Sequence, residues 1–110
     1  MPTFDDREKA HEAKWAHDHA ISFKITARRN KLLGHWAAAL MTLDDGAAEV
    51  YAKEVVKSDF EETGEEDVYR KVMGDLQTQG VDISEHRVRR EMADLMDVAR
   101  QQIMDEQKTP

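Results

Sequence analysis

The amino-acid sequence predicts an all-α protein, a four-helix bundle preceded by a mobile, partly helical N-terminal arm. Apolar residues recur at spacings of three and four along most of the chain, and no stretch alternates as a strand would. The candidate helices are separated by short turns, which favour antiparallel neighbours and therefore a bundle. The length of 110 residues suits one domain. We therefore predict an arm over residues 1–19, a bundle over 20–106 and a frayed tail over 107–110.

The first long helix is predicted from about residue 20 to residue 42. Its apolar face combines large and small side chains, namely Ile21, Ile25, Leu32, Leu33, Trp36, Ala37, Leu40 and Met41. Gly34 lies inside this helix, where glycine costs about 1 kcal/mol relative to alanine. A close approach of a neighbouring helix would explain why glycine is present, and we expect one at Gly34.

The second and fourth helices are predicted from their caps and apolar stripes. The second spans 44–62, with Thr42 and Asp45 as a capping box. Its buried side consists of Ala48, Tyr51, Ala52, Val55, Val56 and Phe60. The fourth spans 85–106 and begins after Ser84, a good N-cap residue. It carries the clearest stripe of the chain, made of Val88, Met92, Leu95, Ala99 and Ile103.

The third helix is predicted over residues 65–79. Thr63 and Glu66 fit a capping box at its start, and acidic residues follow where the helix dipole favours negative charge. Gly80 fits the position just past its end. Gly74 lies inside the helix, and we expect it to allow a close helix approach as Gly34 does.

The first nineteen residues differ from the rest because they are polar yet able to form a helix. Phe4 and Trp15 are their only large apolar side chains apart from Met1. Such a segment has too little apolar area to dock firmly, and a short isolated helix is marginal in water. We therefore predict a transient helix that extends the first long helix and engages a partner. Trp15 is either an anchor for that partner or a staple that holds the arm to the bundle.

Charge is distributed unevenly along the chain. The net charge of -7 argues against general binding to nucleic acid or anionic lipid. Residues 21–43 nevertheless contain no acidic residue and carry a net charge of +4, whereas residues 44–63 carry -5. One interpretation is that these two helices pair and neutralise each other. The other is that Arg28, Arg29 and Lys31 bind an anion, such as a nucleotide phosphate or an acidic partner surface.

The sequence contains no pattern typical of an enzyme or a metal site. Cysteine is absent, which excludes disulfides and thiolate ligands, and no glycine-rich phosphate loop is present. His11, His17 and His19 lack the spacing of metal ligands on one helix face. They could instead add positive charge to the arm as the pH falls below about 6.5.

No apolar run approaches the roughly 20 residues of a membrane span, and the N-terminus is too polar for a signal peptide. We therefore expect a cytoplasmic location.

Eight runs of residues, taken in order, carry a family resemblance. They are 4–14, 16–18, 27–34, 51–57, 59–62, 66–68, 84–86 and 89–90. They resemble the zeta-subunit family, the inhibitors of alphaproteobacterial F-type ATP synthases. Trp15 stands where phenylalanine is common in that family, and acidic residues are common near the positions of His19 and Ala20.

The resemblance implies a four-helix bundle and a mobile N-terminal segment that inserts into the catalytic head of the synthase. There the segment becomes helical beside the rotor, between catalytic and non-catalytic subunits, and blocks ATP hydrolysis. On this hypothesis the protein is not an enzyme, inserts into no membrane directly, and lies peripheral to the inner membrane through the synthase. The partner contacts come from Phe4, Asp5, Asp6, Arg7, Glu8, Lys9, His11, Lys14 and Trp15.

A nucleotide-binding helical regulatory module is the alternative hypothesis. It would place a phosphate near Arg28, Arg29 and Lys31. The two hypotheses are compatible, because weak binding of ATP or ADP could regulate an inhibitor. No other cofactor and no metal is expected.

Overall fold

Four α-helices follow one another in the computed structural model, which describes residues 4–59 and 65–108. They are α1 (Phe4–Leu40), α2 (Asp45–Ser58), α3 (Glu65–Thr78) and α4 (Glu85–Lys108), and the described residues contain no strand. The prediction of an all-α protein is confirmed. For residues 4–13, 15 and 16, only the backbone is described.

Helix α1 is continuous through the predicted boundary at residue 20. It has 37 residues, and no proline occurs between Pro2 and Pro110 to interrupt it. Burial changes along it, however, because Lys14 and residues 17–20 are exposed whereas Ile21 is half-buried. Residues 22–24 are exposed again, and continuous burial along α1 begins at Ile25. The boundary between arm and bundle at residue 20 stays a prediction. The mobility of residues 1–19 stays a prediction.

The core lies where α1 meets the other three helices. Helix α1 contacts α2, α3 and α4, while α3 also contacts α2 and α4. The buried apolar cluster comprises Leu33, Ala37, Ala38, Met41, Tyr51, Val55, Val68, Val72, Leu76, Val88 and Met92. One predicted core residue was wrong, because Leu40 is 39% exposed. Ala38, two positions earlier on the helix, is fully buried instead.

The turn after α1 differs from the prediction. The N-cap of α2 is Asp44, whose side chain accepts a hydrogen bond from the Ala47 amide at 2.8 Å, so the capping box of Thr42 with Asp45 is wrong. Thr42 has a φ of 58° and closes α1, since the Leu43 amide donates to the Ala38 carbonyl. This is the left-handed position that glycine usually occupies.

Helix α2 ends four residues before its predicted end. The Ser58 hydroxyl donates to the Val55 carbonyl at 2.6 Å, and the Asp59 amide bonds to Val56 instead. A serine hydroxyl that donates to a helix carbonyl in this way competes with the backbone amide that would otherwise donate to the same oxygen. Phe60, which was predicted to be buried, lies outside the described residues.

The ends of α3 and α4 agree with their predicted caps where they are described. Gly80 has a φ of 77°, and the Val81 amide donates to the Leu76 carbonyl at 2.9 Å, as in a Schellman motif. Ser84 caps α4 by accepting from the Arg87 amide at 3.1 Å. Helix α4 continues two residues beyond its predicted end, and the fraying of 107–110 stays a prediction. Thr63 lies outside the described residues.

Gly34 marks the closest approach between α1 and α2. A Cβ atom added to Gly34 would lie 2.6 Å from the Cα of Ala52 and 3.2 Å from its Cβ. The predicted close approach is therefore confirmed. Gly74 differs, because a Cβ atom there would meet nothing within 4 Å. The prediction that Gly74 also allows a close approach is wrong.

These two glycines form a matched pair for substitution. We expect Gly34→Ala to lower the free energy of unfolding by about 1–3 kcal/mol, because the backbone of α2 must move. Gly74→Ala should raise it by about 1 kcal/mol, because alanine favours the helix and meets no neighbour. Urea unfolding of both variants measures the two changes. Equal effects at the two sites would contradict the assigned contact.

Thr42→Gly should stabilise the fold by about 1 kcal/mol, because it removes a β-branched side chain from a left-handed backbone conformation. Thr42 is exposed, so little packing is lost. Thr42→Ala is the control, since alanine retains the Cβ atom and should give no comparable gain. A Gly variant no more stable than the Ala variant in thermal unfolding would show that the turn is unstrained.

Candidate partner-binding site

The candidate site consists of the arm and the part of α1 where it joins the bundle, which we call the root (residues 21–31). Of the predicted contact residues on the arm, Lys14 is exposed. The side chains of Phe4, Asp5, Asp6, Arg7, Glu8, Lys9, His11 and Trp15 lie outside the described part. The root is described completely, and its side chains decide how the arm is held.

Arg28 fastens the root to the last turns of α4. Its Nη1 donates to Gln102 Oε1 at 2.7 Å, and its Nη2 donates to Glu106 Oε1 at 2.6 Å. The contact with Glu106 is solvent-accessible, with side-chain exposures of 29% for Arg28 and 54% for Glu106, whereas the bond to Gln102 is partly buried. Exposed ion pairs contribute up to about 1 kcal/mol. The pair therefore positions α4 against the root more than it stabilises the fold.

Arg29 fastens the root to α3 from the interior. Its side chain is fully buried, and its Nη1 donates to Glu65 Oε1 at 3.0 Å. Its Nε donates to Asn30 Oδ1 at 2.6 Å, and Asn30 is also fully buried. Arginine keeps its charge when buried, so Glu65 is its counter-ion. This pair of a buried arginine and an exposed glutamate fixes the start of α3 beside the root.

The predicted anion-binding triplet is therefore divided by the fold. Carboxylates from α4 and α3 engage Arg28 and Arg29, whereas Lys31 is exposed. Helices α1 and α2 do pair, as predicted. In the described part of the chain, one polar side-chain contact between them joins His35 Nε2 to Glu49 at 3.3 Å, and it is an ion pair only when His35 is protonated. Arg28 and Arg29 of α1 are thus neutralised by the fourth and third helices rather than by the second.

A groove runs along the root where α1 lies beside α2 and α4. Its larger part is a cavity of about 390 Å³, and a smaller one of about 190 Å³ shares Lys31 and Val56 with it. The apolar wall comprises Phe23, Ala27, Val56 and Ile103. The cations around it are Lys24, Arg28, Lys31 and Lys53. We call this surface the basic groove. Sequence reasoning missed Lys53, because only the packing of α2 brings it near Lys31.

The arginines at the start of α4 form structural contacts. Arg89 bridges two helices, since it bonds to Glu66 of α3 and to Glu85, each at 2.9 Å. Its guanidinium also lies 3.9 Å from the centre of the Tyr69 ring, a favourable cation–π geometry. The hydrogen bond from Arg89 lowers the pKa of Glu66 below its usual value. This carboxylate therefore stays ionised and bound at neutral pH.

A second polar cluster lies near the ends of α1 and α3. Tyr51 donates to Asp75 Oδ2 at 2.8 Å, and Lys71 lies 3.2 Å from the same carboxylate. Burial, together with the bond to Asp75, raises the pKa of Tyr51 well above its usual range. The phenol remains protonated and acts as a donor, so the cluster links α2 to α3.

Among the described residues, no group of three histidine or acidic side chains could hold a metal ion. In the same part of the chain, no helix combines the length and apolar character needed to cross a membrane.

The two arginine pairs at the root should differ in energy. Glu65→Ala removes the counter-ion of a buried guanidinium, and we expect a loss of about 2 kcal/mol, less than for a fully buried pair because Glu65 is exposed. Glu106→Ala removes an exposed pair and should cost less than about 1 kcal/mol. Denaturant unfolding of the two variants compares them directly. A larger loss of unfolding free energy for Glu106→Ala than for Glu65→Ala would contradict the assignment of Arg29–Glu65 as the stronger pair.

Comparisons with known proteins show which family the chain resembles. A protein whose structure was solved by solution NMR is 50% identical in sequence to this chain and superposes on it with a TM-score of 0.70. The match covers 78% of this chain and 98% of the other. No match was found among proteins with curated descriptions. The family model of ATPase inhibitor subunit zeta matches residues 1–102, which include both the arm and nearly all of the bundle. The chain therefore belongs to the ATPase inhibitor subunit zeta family.

Proposed function

We propose that the protein is a non-catalytic regulator that inhibits ATP hydrolysis by the F-type ATP synthase. It acts from the cytoplasm, where its N-terminal arm inserts into the catalytic head of the synthase at the inner membrane. Membership of the inhibitor family supports the role. The observation that carries the proposed mechanism is the single helix α1, which leads from the arm directly into the bundle.

The dimensions of the molecule suit insertion up to a stop. The part of α1 before the root has 17 residues, and a helix of that length extends about 25 Å. A single helix with its side chains is about 10–12 Å wide, whereas the two shorter dimensions of the whole molecule are 30 and 22 Å. A cleft that admits one helix therefore excludes the bundle. The bundle acts as the stop and holds the arm from outside.

The composition of the arm suits a segment that folds as it binds. A helix of polar, charged residues with few apolar side chains is only marginally stable alone, and a partner can supply the missing contacts. Phe4 and Trp15 supply the apolar contacts to the head, and charged residues between them supply complementarity. His17 is exposed next to these residues.

Deletion of residues 2–18 tests the role of the arm. We expect the truncated protein to lose inhibition of ATP hydrolysis by the isolated catalytic head, because the bundle alone cannot enter the cleft. Deletion of residues 107–110 is the control and should leave inhibition unchanged. Circular dichroism and thermal unfolding establish that the bundle is folded in both variants. Full inhibition by a folded protein that lacks the arm would refute the proposal.

A further inference from the structure

We propose that the basic groove is a second docking surface, which receives an acidic, amphipathic segment on the outer surface of the catalytic head. This inference rests on the proposed function and extends it. The arm would supply the inhibition, and the groove would supply additional affinity and a faster encounter. Three features of the groove carry the proposal: its unneutralised lysines, its apolar wall and its position beside the arm.

The groove has a surplus of positive charge in an acidic protein. Two carboxylates line it, and each is already bound, Glu106 to Arg28 at 2.6 Å and Glu49 to His35 at 3.3 Å. The exposed lysines of the groove, which are Lys24, Lys31 and Lys53, have no ion pair among the described residues. Four cations against two carboxylates leave a local charge of +2 on a chain of -7. A partner with carboxylates at this position would be attracted and oriented.

The spacing of the lysines favours an elongated ligand. Lys24 and Lys31 are seven residues apart on α1, which places them on one face about 10 Å from each other. A single phosphate group reaches only one of them. A helical or extended peptide with acidic residues along one side can contact both, and Lys53 of α2 flanks it on the other side.

The apolar wall indicates that the ligand also carries apolar side chains. Phe23 is 55% exposed at the mouth of the groove, and Val56 is half-buried where its two parts meet. An inorganic anion would leave this wall exposed to water. An amphipathic segment covers it and places its acidic side against the lysines, as in other helix-in-groove complexes.

The position of the groove identifies the catalytic head as the source of the segment. Phe23 and Lys24 belong to α1, only nine and ten positions beyond the exposed Lys14 of the arm. When the arm is inserted up to the bundle, the root is the part of the bundle nearest to the entrance. The basic groove then lies against the outer surface of the head.

The test compares two full-length triple variants of equal charge. The groove variant is Lys24→Glu/Lys31→Glu/Lys53→Glu. The control variant is Arg70→Glu/Arg90→Glu/Arg100→Glu, which changes three exposed cations outside the groove. Binding to the isolated catalytic head is measured at low and physiological salt, together with inhibition of hydrolysis. Equal unfolding temperatures establish that both proteins are folded, and a Lys→Gln version of the groove variant replaces it if they differ.

We expect the groove variant to bind the head about tenfold or more weakly than the control variant, chiefly through slower association, because charge complementarity acts on the encounter rate. Its binding should also depend less on salt than that of the wild type. Inhibition at saturating concentration should remain complete, because the arm is intact. Carbodiimide cross-linking of the wild type should join lysines of the groove to acidic residues of the head.

Each contrary result has a distinct meaning. If the wild type inhibits the head and the groove variant binds as tightly as the control variant, the groove is not a docking surface, although the proposed function stands. Saturable shifts of the Lys24 and Lys31 amides by ATP, with unchanged binding of the groove variant to the head, would assign the groove to a nucleotide and overturn the proposal. A wild-type protein that neither binds nor inhibits the head would overturn the proposed function and this inference together.

Discussion

The close approach of α1 to α2 at Gly34 is the contact on which the arrangement of the bundle depends. Since a side chain at Gly34 would overlap the backbone of Ala52, the two helices meet at a distance that only glycine permits. Helix α1 is also in contact with α3 and α4, so its placement positions every other helix. The root of the arm is part of this same helix. The packing of the core therefore fixes the part of α1 from which the arm extends.

The root combines two kinds of polar contact with different consequences. Arg29 is buried with Glu65 as its counter-ion, and such a pair contributes specificity more than stability, since an apolar replacement is often as stable. Arg28 forms its ion pair with Glu106 near the surface, where salt screens the attraction between the two charges. Both contacts hold the helices that surround the root while leaving Lys31 exposed. The fold thus pairs the buried charge of Arg29 with Glu65 and leaves Lys31 exposed beside the arm.

The sequence predicted the features that depend on local chemistry. It did not predict the features that depend on how the helices pack. The helices could be inferred from the periodicity of apolar residues. The role of Gly34 could be inferred because glycine destabilises a helix, and a close helix contact explains its presence. The same reasoning failed for Gly74, where the exposed position offers no such contact. Thr42 was misassigned because its left-handed backbone depends on how α1 ends. The bond between Arg28 and Glu106 joins residues 78 positions apart, and no sequence pattern indicates which acid an arginine meets.

The central claim is that the arm folds on insertion into the catalytic head while the bundle stays unchanged. Amide hydrogen exchange of residues 4–19, in the free protein and bound to the head, tests it most directly. The account predicts fast exchange of these amides in the free protein and strong protection in the complex, with residues 25–40 protected in both states. Equal exchange of residues 4–19 in the two states would contradict the account, whether the arm stayed unprotected or was already stably folded.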